Sequence, residues 1–373
     1  MRIAMHDLQP NETSLIHIRS SVWEALKEPR IVAAPMAGGA NTVELVSEVI
    51  RCGGVGSFGF AYASPAKIEE DLCGLTKEQR SCVNANFFIF PPSSQLSVTE
   101  TEVLAATSAL EQHCPLKDSS YVAPSAQPPD LDSQLEPVFR LCPGLLTFHF
   151  GLPSPAVLLR ARECGITVGV TVTSLPEAQL AAEARIDFVV AQGIEAGGHR
   201  GTMDPVARFD EELTTLSLVR VLRGGGVQLL IVAAGGIMTG ADIFAALDAG
   251  ADAVQLGTAF LTTKESGVGE FHKRVLLEQR DRSTTLTRAF SGRRARSVEN
   301  EFTERMHGQP TLPFPLQFSL TAPRRQQAAR EGDPEYQAVW AGANFARGRG
   351  QLVAVEHLMR TLRLEFLSAA TKK

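Results

Sequence analysis

The sequence carries no concentration of charge of one sign, few aromatic residues and no long apolar run, and each absence excludes a class of function. Thirty-six Lys and Arg stand against 41 Asp and Glu, a net charge of -5, so no global field draws the chain to nucleic acid or to an anionic membrane. Any anion must therefore be recognised locally. No segment approaches the roughly 18 uninterrupted apolar residues of a membrane span. Although the chain opens with the basic Met1-Arg-Ile-Ala-Met5, no apolar stretch follows of the kind a secretory signal needs. The six cysteines (Cys52, Cys73, Cys82, Cys114, Cys142, Cys164) lie apart without a C-x-x-C pair, which suits neither a zinc site nor a disulfide framework. They read as reduced packing residues of a soluble, cytoplasmic protein. H-E-x-x-H, carboxylate clusters and His/Cys sets at ligand spacing are missing, so no metal site is expected. A G-x-S-x-G nucleophile elbow is missing too.

What is present is a rhythm. From Arg30 onward, short β-branched runs alternate with glycine or proline punctuation and stretches of helical period. Strands are expected near 31–34, 55–58, 82–90, 145–150, 167–172, 187–191, 229–233 and 253–256. Helices are expected near 42–51, 65–72, 98–112, 155–163, 176–184, 211–223, 240–249 and 268–280. Eight buried-type strands alternating with eight helices predict a (β/α)8 TIM barrel rather than a doubly wound sheet. Residues 1–28 read as an N-terminal arm across the outside of the fold, anchored by Trp23. The barrel takes 29–265 plus 350–373, and 266–349 reads as an appended, smaller, mainly helical substrate or lid domain. Four prolines between Cys114 and Asp130 interrupt the path to the fourth strand, as a lid or a solvated loop.

Chemistry in a parallel barrel sits where strands end, so the exits are the informative residues. Gly235-Gly236 leave the seventh expected strand just ahead of a helix, and Gly257-Thr258 leave the eighth. Glycines with free N–H groups in these adjacent exits can wrap a phosphate. The sixth exit, Ala191-Gln-Gly-Ile-Glu-Ala-Gly-Gly-His-Arg-Gly-Thr202, brings bare backbone and the titratable ring of His199 to the barrel mouth, where a near-neutral intrinsic pKa suits proton transfer. Glu195 and Arg200 flank that ring as candidate orienting groups or salt-bridge partners. His149, in Phe148-His-Phe-Gly151, leaves the fourth strand and could face His199 across the mouth.

Together, Ala34-Pro-Met-Ala-Gly-Gly39, Asn84-Ala-Asn-Phe-Phe88, Thr147-Phe-His-Phe-Gly-Leu-Pro153, Gly193-Ile-Glu-Ala-Gly-Gly-His-Arg-Gly201, Ala234-Gly-Gly-Ile237, Gln255-Leu-Gly-Thr258 and Phe314-Pro-Leu-Gln317 resemble the class I nitronate monooxygenases. The E-A-G-G-H-x-G piece is shared with flavin-dependent enoyl reductases; F-H-F-G is narrower. The resemblance implies an FMN enzyme that oxidatively denitrifies alkyl nitronates, above all propionate 3-nitronate, with O2 through a flavin semiquinone, giving a carbonyl product and nitrite or nitrate. An NAD(P)H-dependent FMN reductase of an enoyl thioester or quinone is the alternative. Carried over by motif, His199 is catalytic and His149 lines the substrate pocket. Met36, Asn86, Gln192, Gly197, Gly198, Gly235, Gly236, Gln255, Gly257 and Thr258 contact FMN. Where the family often has a tyrosine after F-P-L and a lysine shortly beyond, this chain has Phe318 and Arg324 or Arg325, so these are the expected contacts to a substrate carboxylate. The implied partners are a small anionic nitronate and O2, in a monomer or homodimer, with no nucleic acid or membrane.

Overall fold

The computed structural model describes residues 22–91, 97–117, 120–124, 128–204 and 210–372. Residues 1–21 of the expected arm and parts of the 114–130 excursion lie outside the described residues. Among those described, no helix is long and apolar enough to cross a membrane.

Eight parallel strands form one sheet. They are β1 (Ile31–Ala33), β2 (Gly56–Gly59), β3 (Val83–Phe88), β4 (Leu145–His149), β5 (Thr167–Val172) and β6 (Phe188–Gln192). The two-residue β7 (Gly198–His199) belongs elsewhere, and β8 (Leu230–Ala234) and β9 (Ala253–Leu256) complete the set. The sheet order is β1-β9-β8-β6-β5-β4-β3-β2, and the Val32–Val55 bridge, with Ala33 N donating to Val55 O at 2.9 Å, joins its two ends. The (β/α)8 barrel expected from the sequence is present, each of its eight strands overlapping an expected one.

The period of two then decides which side chains reach the site. Val32, Val55, Leu145, Phe188, Val190, Val232, Ala234 and Ala253 form an inner cluster, while their neighbours Ile31, Ala33, Leu146, Val189, Ile231, Ala233 and Val254 pack outward with the helices. Continued to the strand ends, the inward register aims Asn86, Phe88, His149, Gln192 and Gln255 up the barrel axis.

The opposite end is plugged. Val22, Trp23 and Leu26 join the inner cluster, and Trp23 meets Phe188 edge-on at 5.2 Å. The described part of the arm therefore closes the barrel floor rather than lying across its outside.

Helix starts follow local chemistry. Thr42, Ser64, Asp130, Ser154, Ser174, Thr214 and Thr239 each cap a helix with a side-chain oxygen, and proline follows within the first turn at Pro65, Pro155 and Pro176. One crossover differs from expectation. The helix Glu100–His113 buries Ala106, Ala109 and Leu110 not on the barrel but against Phe290, Phe302, Leu316 and Leu320 of the C-terminal block. The helix covering the sheet between β3 and β4 is Leu131–Leu141, through Leu135, Val138 and Phe139. Its internal Pro137 hid its helical period. The described excursion between them packs on the same block: Tyr121 donates to Cys114 O at 2.5 Å and Lys117 pairs with Glu331 at 2.9 Å.

Beyond the barrel lie helices Glu270–Glu278, Glu301–Arg305, Leu316–Leu320 and Ala322–Glu331, while Val355–Ala370 returns to the wall through Leu358, Met359 and Leu362. The block also holds strands that the sequence reading did not place: β10 (Thr284–Thr287) and β11 (Ala295–Val298) form an antiparallel sheet whose third member is β7. A four-residue strand paired with two residues far upstream leaves no local pattern to read.

Candidate active site

The loop after β6 is held open by constraint rather than by flexibility. Gly193 cannot carry a side chain, since a Cβ there would lie 2.1 Å from Thr215 Oγ1, and Gly198 takes φ +72°, which L side chains disfavour. β7 then pairs with β11, His199 opposite Ala295. Arg200 and Asp210 form a buried ion pair at 2.8 Å, Arg200 N donates to Arg294 O at 2.8 Å, and Glu195 accepts from Thr215 N at 2.9 Å. Both charged residues flanking His199 are thereby committed to the loop's frame.

That frame presents two imidazoles to each other. His149 Nε2 donates to His199 O at 3.2 Å; a carbonyl can only accept, so His149 carries its proton on Nε2. Gly201 permits the approach, because a Cβ there would lie 2.6 Å from His149 Cε1. The His199 ring is surrounded by Phe314 at 5.2 Å, Trp340 at 5.6 Å, Phe150 at 5.8 Å and Phe88 at 6.0 Å. Burial, reinforced by Arg293 and by each ring's neighbours, pushes both imidazoles down to about 3, so both are neutral at pH 7. Phe150, held at φ +77°, lies between His149 at 4.4 Å and Phe88 at 4.5 Å. Such strain in a bulky residue persists only where packing over-determines it.

Arg293, Arg324 and Arg325 stand differently toward the expected substrate end of the site. Arg293, which the sequence reading did not single out, is 4% exposed and lies 3.8 Å over the Phe150 ring. It hydrogen-bonds the carbonyl of Thr202, its buried Nε has no hydrogen-bond partner among the described residues, and burial lowers its pKa to about 10. Arg325 lies 3.9 Å over Phe318, which stacks on Tyr62 at 5.8 Å, a ring that also meets Phe88. Phe318 and Arg325 are therefore brought to the aromatic mouth. Arg324 is not: it sits 3.5 Å over Tyr336 and 3.8 Å from Asp333, in the core of the C-terminal block.

The β8 and β9 exits build a second, nearly side-chain-free region. Gly235 and Gly236 adopt φ +118° and +69°. The N–H groups of Gly235, Gly236 and Gly257 donate to no described residue. The following helix, Gly240–Asp248, is already capped by Thr239 and Asp242, so the free donors are those of the glycine turn rather than of the helix end. A strap from the C-terminal block ties the exits together: Gly342 N donates to Thr258 Oγ1 at 2.9 Å, Ala343 N to Glu195 O at 2.9 Å and Asn344 Nδ2 to Gly236 O at 2.8 Å. Gly197 backs onto this strap, where a Cβ would come within 2.5 Å of Ala341.

A profile of the family described as "Nitronate monooxygenase" matches residues 19–365. The "Nitronate monooxygenase" of Paraburkholderia phytofirmans is 38% identical over 350 residues, 89% of this chain and 92% of that protein. The chain belongs to the nitronate monooxygenase family. It is an oxidoreductase. The structure of nitroalkane oxidase from Streptomyces ansochromogenes superposes with a TM-score of 0.84 at 34% identity, covering 95% of this chain and 99% of that one. FabK from Thermotoga maritima shares the fold, with a TM-score of 0.70 at 24% identity over 95% and 96% of the two chains.

Members of this family are flavin-dependent, and the residues present fit such a group. A Cβ at Gly257 would meet nothing nearer than Ala34 Cβ at 3.5 Å and Met36 Sδ at 3.9 Å, so the glycine leaves a space that a side chain would fill. Gln255, half-buried and inward-facing, makes no side-chain hydrogen bond to a described residue. Asn86 donates to Thr147 Oγ1 at 2.9 Å, ending a polar ladder inside the barrel. Gln192 fixes the loop: its amide donates to His199 O at 3.0 Å and accepts from Gly201 N at 2.7 Å.

Proposed function

We propose that the protein is an FMN enzyme that oxidises alkyl nitronates with O2 to a carbonyl product and nitrite or nitrate, with propionate 3-nitronate as the leading substrate. The observation that carries this reading is the pair of neutral imidazoles, His149 and His199, enclosed by Phe88, Phe150, Phe314 and Trp340 beside the buried guanidinium of Arg293. The planar, singly charged nitronate group is matched by such a pocket: aromatic faces take its flat body and one under-compensated cation takes its charge.

Gly235, Gly236, Gly257 and Thr258 would hold the FMN phosphate through backbone N–H groups, with Met36, Asn86 and Gln255 at the ring. Bound FMN would supply the oxidation and the reaction with dioxygen. The chain's own residues supply placement and proton handling. A nitronate arrives deprotonated and needs no base, so His199 orients it. A neutral nitroalkane needs its α-proton removed, and the unprotonated His199 imidazole can accept it, although burial beside Arg293 holds the ring near 3 rather than at the near-neutral value expected from the sequence and makes it a weak base. Arg325, beside Phe318, would receive a substrate carboxylate. Water is kept from the reacting carbon by the ring of aromatic side chains.

The test is the absorption spectrum of FMN-loaded protein before and after anaerobic propionate 3-nitronate. Loss of the oxidised-flavin bands on adding nitronate supports the reading. Bleaching by NADH with no response to nitronate would replace it with the reductase.

A further inference from the structure

We propose that Ser291 is a positioning residue that fixes the tautomer of His199, holding its proton on Nε2 and leaving Nδ1 as the basic nitrogen. The inference rests on the reading of His199 as the base toward neutral nitroalkanes, and it supplies the atom. Ser291 is 1% exposed, and its Oγ lies 2.9 Å from His199 Nε2. A hydroxyl has a single proton to give. Here that proton is directed at the carbonyl of Arg293, 3.1 Å away, while Arg293 N donates back to the same oxygen at 3.4 Å. With its proton spent on a carbonyl, Ser291 Oγ meets the imidazole as an acceptor, and the ring nitrogen facing it must donate.

The turn that carries Ser291 leaves little freedom to reverse the arrangement. Gly292 has φ +84°, and a Cβ there would lie 2.1 Å from Leu312 O and 2.8 Å from Phe314 N. The same contact seats Phe314, whose ring packs against His199 at 5.2 Å. Among the described residues, the charged and titratable groups facing the imidazole are His149, from the β4 exit, and Arg293, from the turn itself. Neither is a carboxylate that could draw the proton to Nδ1. In the step this implies, the α-carbon's C–H bond breaks, the proton passes to Nδ1 to give imidazolium, and the bonding pair moves into the nitro group to give the nitronate.

The experiment is long-range 1H–15N correlation of flavin-loaded protein labelled at histidine nitrogen, with the His199 signals identified by their loss in His199→Asn. A protonated-type shift at Nε2 and an unprotonated-type shift at Nδ1 are expected. The opposite assignment overturns the proposal, whatever the variants do. In Ser291→Ala the two shifts should move toward the average of mixed tautomers, and kcat/KM for neutral nitroethane should fall roughly tenfold, several times more than that for ethyl nitronate. Ser291→Thr, which restores the hydroxyl, should restore both readouts; equal loss on nitroethane and nitronate would mark a merely structural role. If the shifts are as expected but His199→Asn spares nitroethane, the base reading fails and the tautomer assignment stands.

Discussion

The two halves of the site are built from opposite materials. The β8 and β9 exits offer backbone alone, glycines whose positive φ or missing Cβ leaves N–H groups and space. The β4 and β6 exits offer side chains, His149 and His199, whose charge state is set by what encloses them. The first half belongs entirely to the barrel apart from its strap. The second is shared: His199 is a barrel residue paired with β11, touched by Ser291, Phe314 and Trp340 of the C-terminal block. A backbone cradle grips a common group in the same way for any chemistry, whereas a pocket assembled from two units can be altered on one side without disturbing the other. The cradle should therefore govern cofactor retention, and the pocket, substrate choice.

The largest effect that would separate the halves is expected at Gly257. In Gly257→Val the new side chain has room to fold, with Ala34 Cβ no closer than 3.5 Å to the added Cβ, but it enters the cradle. Flavin occupancy should drop by an order of magnitude or more, as absorbance against protein concentration would show, while the thermal midpoint of the flavin-free protein stays put. Full occupancy in the variant would move the cofactor elsewhere.

On the pocket side, Arg325→Met should retain flavin and raise KM for propionate 3-nitronate roughly tenfold, the worth of one charge-assisted hydrogen bond. Ethyl nitronate, lacking the carboxylate, should be unaffected. An equal rise for both substrates would make Arg325 a wall of the mouth rather than a carboxylate contact.

The smallest effect is on stability in acid. His149 and His199 are pushed down to about 3, and His272, buried with its Nε2 donating to Trp340 O at 3.1 Å, to about 4. Each unfolded imidazole binds a proton near pH 6.5, so between that pH and the folded values the unfolded chain holds more protons. Stability should be flat above about pH 6.5 and fall progressively below it. Denaturant titrations at several pH values would show the slope, and His149→Gln should make the acid limb shallower; an unchanged slope would mean that His149 is charged in the folded protein.

Much of this was legible in the sequence because it is local. Strand interiors are short apolar runs, their exits carry glycine and histidine, and the motif resemblance singles out Asn86, His149, Gln192 and Gln255. What escaped is what one unit contributes to another. Ser291 lies 92 residues from the ring it touches, and nothing in Ser291-Gly-Arg-Arg294 marks Arg293 rather than Arg294 as the buried cation. Arg324 and Arg325 were indistinguishable for the same reason: on a helix, neighbours point to different faces, and only the packing on Tyr336 and on Phe318 tells them apart. That the Gln192 amide holds the loop was not legible either, since His199 O and Gly201 N reach it only through the fold of the loop.

The most direct measurement is the ratio of kcat/KM for nitroethane to that for ethyl nitronate, in the parent and in His199→Asn, both loaded with flavin. The pocket as described predicts that the ratio falls at least about 100-fold in the variant, because only the neutral substrate needs a base. An unchanged ratio, with both substrates slowed alike or neither slowed, would contradict it.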